Sequence, residues 1–175
     1  GMHKFPHIKL NHIKNLTDDV GIIQHAKHTV SDRSTGYTLD DNARALIVAS
    51  KMHERNRDEV SYKLMNTYLS FIRYMQMEDG RLHNLMGYDR KMLDDVGSED
   101  ALGRAIHATG HVVASNVNEA MRSVAKFIFD NAVKHVYGLE HLRPKAFSII
   151  GMSYYYRKYK HPDIVEKIRK LADDL

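Results

Sequence analysis

Apolar residues recur at intervals of three and four from about residue 39 onward, which is the period of an α-helix. No alternating run of apolar and polar residues persists long enough to predict a strand. Two of the three prolines, Pro144 and Pro162, stand where a helix would begin, a position that needs no backbone donor. The pattern therefore predicts an all-α fold.

The predicted helices are of two kinds, which alternate along the chain. The first, third and fifth are apolar on every side, as buried helices are, whereas the second, fourth and sixth each carry one apolar stripe. Their approximate ranges are 39–53, 58–77, 98–115, 118–136, 143–159 and 162–175. Inner helices covered by outer ones give three helical hairpins in one domain over 38–175. Residues 1–37 are polar and irregular, and we expect them to pack on this domain as an N-terminal segment.

An internal repeat relates the first two hairpins. The segment from Asp40 to Leu46 aligns with the segment from Asp100 to Ile106, and in both an arginine follows the acid by four residues. A fainter third copy is Lys145-Ala146-Phe147. Repeated hairpin units predict stacking in a solenoid or a closed ring.

Carboxylates are concentrated at the starts of two predicted inner helices. They are Asp40 and Asp41 in the first helix and Glu99 and Asp100 in the third. One interpretation is structural, because acids in a first turn suit the helix dipole and Thr38 or Ser98 can cap the helix. In this interpretation Arg44 and Arg104 pair with their own acids one turn earlier.

The other interpretation of these carboxylates is a pocket. If the inner helices run parallel around an axis, their first turns meet at one end and acids from different helices converge there. Two converging carboxylates are what cleavage of a glycosidic bond needs, one as acid and the other as base or nucleophile. A like charge nearby raises the pKa of one carboxyl and keeps it protonated. The four acids are therefore candidate catalytic residues.

Histidines offer two pairs with spacings that bear on metal binding. His25 and His28 are three residues apart in the N-terminal segment, and His107 and His111 are four apart on the third helix. The helical spacing can hold a metal ion, but histidines on a closely packed helix are more often part of the core or surface. We predict no metal and no cofactor.

Charge, hydropathy and the absence of cysteine limit the classes of partner and the compartment that the sequence predicts. Net charge is +4 and the basic residues are scattered among acidic neighbours, so no stripe suited to a nucleic-acid backbone is predicted. No apolar run reaches the roughly 20 residues of a membrane span, and Gly1 to Leu10 contains no apolar signal region. The absence of cysteine excludes disulfides and thiolate metal sites and fits a reducing compartment. We expect a cytoplasmic protein that binds neither membrane nor nucleic acid.

Two blocks of sequence resemble the six-hairpin glycosidase-like α/α toroid domain that is often found C-terminal to bacterial glycosyltransferases and described as mannosyltransferase-like. The first block is Gly21-Ile22-Ile23-Gln24-His25-Ala26 followed by Asp32-Arg33-Ser34-Thr35-Gly36-Tyr37-Thr38-Leu39-Asp40-Asp41-Asn42-Ala43-Arg44-Ala45. The second is Asn84-Leu85-Met86-Gly87-Tyr88-Asp89-Arg90 followed by Gly97-Ser98-Glu99-Asp100 and Gly103-Arg104-Ala105.

The resemblance implies a cleft at the N-terminal ends of the inner helices. The catalytic candidates are those already given. The substrate-binding residues that the resemblance implies are Arg33, Tyr37, Asn42, Arg44, Asn84, Tyr88, Asp89, Arg90 and Arg104. The chain departs from the family in having no tryptophan, so the best sugar-stacking side chain is missing.

The family domain has six hairpins, whereas three are predicted here, so the chain corresponds to the first half of a toroid. Half a toroid exposes inner-helix surface at both flanks, and we expect a homodimer or a partner that supplies the missing hairpins. The predicted function is that of a carbohydrate-active protein, either glycoside hydrolase-like or associated with a glycosyltransferase. The alternative is a non-catalytic carbohydrate-binding or protein-interaction module.

Overall fold

The structure is a computed structural model that describes residues 13–23, 26–27, 30–31 and 36–175. Helices dominate this part of the chain and form three hairpins, so the predicted all-α fold is confirmed. Arg33, His25 and His28 lie outside the described residues. Within the described ranges, no helix combines the length and the apolar character that a bilayer crossing requires.

The predicted helices are all present, with boundaries shifted by a few residues. They are α1 Leu39–Asn56, α2 Glu59–Met75, α3 Glu99–Ala114, α4 Glu119–Ala132, α5 Leu142–Lys158 and α6 Pro162–Asp173. The fourth helix is shorter than predicted, because the chain tightens into a 3₁₀ helix at Val133–Gly138.

Side-chain caps explain where four of the helices begin. Thr38, Asp58, Ser98 and Asn118 each accept a hydrogen bond from the backbone N–H three residues later. The turn between α1 and α2 contains Arg57 in a left-handed conformation, with φ of 52°. Each of these polar residues was visible in the sequence as a helix start, which is why the starts are predicted well.

The inner helices are α1, α3 and α5, and α3 lies between the other two, while α2, α4 and α6 cover them from outside. Small residues allow α3 and α5 to approach closely. A Cβ at Gly110 would lie 2.2 Å from the backbone oxygen of Gly151, and one at Gly103 would lie 2.8 Å from that of Pro144. Backbone contact of this kind fixes how far one helix is shifted along the other. As a result, the first turns of α3 and α5 lie side by side.

The described part of the N-terminal segment is less irregular than predicted. Residues 13–16 are helical, and β1 Ala26–Lys27 pairs with β2 Val30–Ser31, while β3 Tyr37–Thr38 pairs with β4 Leu85–Met86. Ile13, Leu16, Ile22 and Ile23 are buried in the common core. The oxygen of Thr17 lies 2.7 Å from the Tyr68 hydroxyl, which ties the segment to α2. Strands of two residues carry too little periodicity to be predicted from a pattern.

Candidate functional site

The first turns of the inner helices meet at one end of the molecule, which we call the mouth. An arginine from each following hairpin reaches back to the acid of the hairpin before it. Arg104 Nε lies 3.0 Å from Asp40 Oδ1, and Arg143 contacts the carboxylate of Asp100. Arg44 lies 4.0 Å from Asp40 and is largely exposed. The arginines therefore join neighbouring hairpins, in addition to any pairing within one helix.

Glu99 acts as a cap for a helix other than its own. Its Oε1 accepts hydrogen bonds from the backbone N–H groups of Glu140 and His141, at 2.6 and 3.1 Å, and His141 Nδ1 lies 2.6 Å from Oε2. These groups precede α5, whose first turn contains no acid and whose N-cap residue makes no side-chain cap. Burial opposes the charge on Glu99, but the three contacts outweigh it and lower the pKa of this carboxyl.

Asp100 is also held in its ionised form. The hydrogen bond from Arg143 lowers its pKa, and the charge of Arg104 adds to the effect. A cavity of about 400 Å³ opens here, lined by Ser98, Glu99, Asp100, His141, Arg143 and Pro144. The acids on its wall are occupied by cross-hairpin contacts.

Asp41 and Asn42 have different surroundings although they are neighbours in sequence. The side chain of Asp41 is partly exposed, and its backbone N–H donates to Thr38 Oγ1 at 3.1 Å. Asn42 is fully buried, accepts from the Ile22 N–H at 2.9 Å and donates to the Thr38 carbonyl at 2.7 Å. The amide of Asn42 therefore anchors the N-terminal segment to α1 and does not face a pocket.

The candidates in the 84–90 loop divide between buried and exposed positions. Asn84 Oδ1 accepts from the Asp40 N–H at 3.3 Å, so it supports the start of α1. Tyr88 is partly buried and meets Tyr37 edge to face, with ring centroids 5.1 Å apart. Asp89 and Arg90 are exposed at the loop tip, where Arg90 has φ of 66°.

Tyr37 and Asp94 hold the 84–90 loop in place. Tyr37 is buried at 4% exposure and its hydroxyl donates to Asp18 Oδ2 at 2.5 Å, which makes it a core residue rather than a surface platform. Asp94 accepts from the N–H groups of Asn84 and Leu85, at 2.7 and 3.2 Å. The sequence gives no signal for Asp94, because its partners are ten and nine residues away in a loop.

A second group of polar side chains lies further along the inner helices. We call it the histidine face and define it as Arg104, His107 and His111 of α3 with Phe147 and Tyr154 of α5. The ring of His107 is stacked with those of Phe147 and Tyr154, at 6.2 and 6.4 Å between centroids. Arg104 lies over Phe147, with 3.9 Å from its guanidinium carbon to the ring centroid, a cation–π geometry.

Polar atoms of the histidine face are incompletely paired. His107 Nδ1 and Arg104 Nε are buried and make no hydrogen bond within the described structure. Arg104 Nε is nevertheless close to Asp40, so that contact is an ion pair without hydrogen-bond alignment. Buried polar atoms are usually paired, and an exception calls for an explanation.

Both histidines of this face are neutral at pH 7. Burial, followed by the charges of Arg104 and Lys51, lowers the pKa of His107 to about 4. Burial and Lys51 do the same for His111, whose pKa is also about 4. His111 Nδ1 lies 3.0 Å from Ser50 Oγ. Its Nε2 is 3.8 Å from Glu54, and because the imidazole is neutral this contact is not an ion pair at pH 7.

The sequence pointed to His107 and His111 only through their metal-binding spacing. Among the described residues, no cluster of three histidine or acidic side chains could hold a metal ion. The signal that was missed is that Arg104, His107 and His111 occupy one face of an otherwise apolar helix, at spacings of three and four. That spacing places a continuous polar row beside α5.

Comparison with known proteins identifies the fold. No family model and no curated protein matches the sequence. A sugar epimerase from a ruminal bacterium has a similar structure, with a TM-score of 0.78, 14% identity, and coverage of 94% of this chain and 50% of that one. A D-mannose isomerase matches with a TM-score of 0.75 and 12% identity over 97% of this chain and 52% of the other. A cellobiose 2-epimerase from Spirochaeta thermophila matches with a TM-score of 0.77 and 13% identity over 94% of this chain and 49% of its own.

These likenesses establish the fold class: the chain has the all-α fold of half a toroid. It spans about half the length of the solved structures that it matches. The predicted half toroid with alternating inner and outer helices is confirmed.

Proposed function

We propose that this chain is part of a carbohydrate-active protein that binds a reducing sugar on the histidine face. The chemistry that fits this face is proton transfer at the carbon next to the sugar carbonyl. The observation that carries the proposal is the neutral His107 ring, held between two aromatic rings and beside the guanidinium of Arg104. Its fold resembles structures named as sugar epimerases and isomerases, which supports the choice of substrate class.

The roles of the residues follow from their chemistry. Phe147 and Tyr154 are partly exposed, and they provide apolar surface beside His107 for a sugar ring. His107 takes the proton as the C–H bond breaks, and the electron pair moves toward the carbonyl oxygen beside Arg104. Negative charge that develops on that oxygen favours the imidazolium, so it raises the pKa of His107 above the value of about 4 and makes the imidazole a stronger base. Return of the proton to the former carbonyl carbon gives the isomer when the hydroxyl proton of the neighbouring carbon passes to the former carbonyl oxygen. Return of the proton to the opposite face of the carbon that lost it gives the epimer, which requires the enediol to turn its other face toward His107.

The contacts at the mouth support the capping interpretation over glycosidic cleavage. Hydrolysis requires one carboxyl to be protonated before it donates to the leaving group. The pKa values of Glu99 and Asp100 are lowered by their cross-hairpin partners, so both are ionised in the working range of most enzymes. Asp40 is paired with Arg104. We therefore propose no hydrolytic role for these acids.

The proposal is tested by hydrogen exchange in heavy water. The chain is incubated with mannose, glucose and cellobiose. Proton NMR follows loss of the signal of the hydrogen on the carbon beside the carbonyl, and appearance of the signals of the epimer or ketose. We expect exchange with the wild-type chain and none with His107→Gln. His161→Gln changes an exposed histidine at the start of α6 and is the matched control.

The second candidate function is a non-catalytic carbohydrate-binding or protein-interaction module. It is favoured by the contacts at the mouth, where the carboxylates of Glu99 and Asp100 are engaged by groups of the next hairpin. Sugar binding without exchange would support a binding module and overturn the catalytic proposal. If no sugar perturbs the spectrum, both carbohydrate proposals fail. Association with a glycosyltransferase and a cytoplasmic location remain predictions.

A further inference from the structure

Two exposed cations flank the histidine face at the end that is further from the mouth. They are Lys51 of α1 and Arg157 of α5, and α3 with its His111 lies between these two helices. After burial, the charges of Lys51 and Arg157 are among the causes that lower the pKa of His111. Within the described ranges, neither cation takes part in an ion pair. Cations that act on one space without a paired carboxylate indicate a place for an anion.

The aromatic rings of α5 hold an arginine at each end of the histidine face. The guanidinium carbon of Arg157 lies 4.8 Å from the ring centroid of Tyr154, and that of Arg104 lies 3.9 Å from the centroid of Phe147. His107 is stacked with both rings and therefore lies between the two arginines. A guanidinium that stacks on a ring keeps the N–H donors in its own plane available for a carboxylate or phosphate.

The two arginines differ in their counterions. Arg104 Nε lies 3.0 Å from Asp40 Oδ1, so its charge is offset at the end nearer the mouth. At the other end Glu54 Oε1 lies 3.8 Å from His111 Nε2. Burial raises the pKa of Glu54, and the charge of Lys51 opposes this shift. Among the described groups around His111, the charges of Lys51 and Arg157 therefore exceed that of the single carboxylate.

We propose that Lys51 and Arg157 form an anion subsite, which binds a phosphate or carboxylate group at the end of the sugar away from its carbonyl. The inference rests on the proposed function for the position of the sugar, whose carbonyl oxygen lies beside Arg104. His111 follows Arg104 on α3 by about 10 Å along the helix axis. An open-chain hexose with a charged group on its last carbon spans such a distance, so one ligand can reach both ends of the face.

An anion in this subsite changes the charge state of His111. The imidazole is held by Ser50 Oγ, 3.0 Å from Nδ1, and by the ring of Tyr154, whose centroid is 4.9 Å away. Negative charge nearby favours the imidazolium, so a bound anion raises the pKa of His111 above its value of about 4. A neutral sugar brings no such charge, and the protonation of His111 therefore reports on the subsite itself.

Titration with inorganic phosphate tests the subsite without a sugar. Proton NMR at mildly acidic pH follows the C2 proton of His111, which is identified by its loss in His111→Gln. We expect phosphate to shift this signal toward the imidazolium position. Lys51→Gln and Arg157→Gln are each expected to weaken phosphate binding by about tenfold, the loss that corresponds to one charge-assisted hydrogen bond.

Two variants on outer helix α2 are the matched controls. Arg73→Gln is matched to Arg157→Gln, because the Arg73 guanidinium carbon lies 4.5 Å from the centroid of Phe127 on another part of the surface. Lys63→Gln removes an exposed lysine and is matched to Lys51→Gln. Both controls should bind phosphate as the wild type does, and circular dichroism confirms that all variants fold. Absence of phosphate binding, or equal affinity in Arg157→Gln and Arg73→Gln, would overturn the subsite.

Proton exchange in heavy water then connects the subsite to the sugar. Glucose 6-phosphate and glucuronate are compared with glucose, so that the two charged sugars distinguish phosphate from carboxylate. We expect at least one charged sugar to have a KM about tenfold lower than that of glucose, and Arg157→Gln to remove this advantage.

The two experiments separate this inference from the proposed function. If glucose exchanges as readily as both charged sugars, the anion subsite is wrong and the proposed function is upheld. If phosphate binds through Lys51 and Arg157 but no sugar exchanges, the proposed function fails and the anion site is upheld.

Discussion

The mouth and the histidine face lie on the same inner helices but differ in how their polar groups are paired. At the mouth, Glu99 accepts from two backbone N–H groups and Asp100 is bound by Arg143. On the histidine face, His107 Nδ1 and Arg104 Nε are buried without an aligned partner among the described residues. Satisfied groups stabilise a fold, whereas unsatisfied buried groups cost stability and are retained where they serve another purpose.

The sequence suggests the acids of the mouth as the first candidates for function, whereas the contacts in the structure favour the histidine face. Clustered acids at helix starts attract attention because paired carboxylates catalyse many reactions, yet here they connect one hairpin to the next. The less conspicuous row of Arg104, His107 and His111 contains two buried nitrogens, His107 Nδ1 and Arg104 Nε, that make no aligned hydrogen bond within the described structure. Four predictions test the contrast, from the largest expected effect to the smallest.

His107→Phe is expected to separate function from stability most clearly. The substitution keeps an aromatic ring between Phe147 and Tyr154 and removes a buried nitrogen without a partner, so the free energy of unfolding should not fall. Loss of a base typically lowers a rate by about 10²–10⁴-fold. Denaturant unfolding and sugar proton exchange measure the two effects. A variant that is strongly destabilised would identify His107 as a structural residue and contradict the contrast.

The buried histidines are expected to make stability depend on pH. The pKa of His111 is about 4 in the folded state and 6.5 in the reference state, so the unfolded chain binds more protons between these values. The contribution of His111 to the free energy of unfolding is therefore fully present above pH 6.5. The free energy of unfolding falls by on the order of 3 kcal/mol as the pH drops toward 4. Urea unfolding at pH 7, 6 and 5 measures this slope, and His111→Gln should flatten it. An equally steep slope in the variant would show that other groups dominate.

Glu99→Ala is expected to lower the free energy of unfolding by about 1–2 kcal/mol, because two backbone N–H groups before α5 lose their acceptor. Since the pKa of Glu99 is lowered in the fold, the wild-type advantage is present above pH 4.5 and disappears as the pH falls through the folded value. Glu59→Ala, an exposed acid in the first turn of α2, is the matched control and should change little. If both variants lose the same free energy of unfolding, Glu99 has no special capping role.

Much of the fold could be predicted from the sequence because its signals are local. Helical periodicity lies within single segments, and Thr38, Asp58, Ser98 and Asn118 mark helix starts by residue type alone. The apolar character of α5 on every side correctly indicated an inner helix. The change to a 3₁₀ helix after Ala132 could not be predicted, because it depends on how the chain packs rather than on residue pattern.

The candidate site was harder to predict because its geometry depends on contacts between hairpins. Arg104 was expected to pair with its own Asp100, but the structure brings it to Asp40, which is distant in sequence. Asn42 matched a family motif, yet its buried amide binds the backbone of Ile22 and Thr38. Charge and hydrogen-bonding capacity are visible in a sequence, whereas the partner that uses them is set by helix packing.

Asp41→Asn is expected to have the smallest effect, within about 0.5 kcal/mol of the wild-type free energy of unfolding, because the capping oxygen at this helix start belongs to Thr38. Thr38→Ala removes that oxygen and should cost about 1 kcal/mol, which calibrates the measurement. Sugar binding and proton exchange should be unchanged in Asp41→Asn. If this substitution abolishes sugar processing in a folded protein, a carboxylate of the mouth takes part in the chemistry, and the division between a structural mouth and a functional histidine face is wrong.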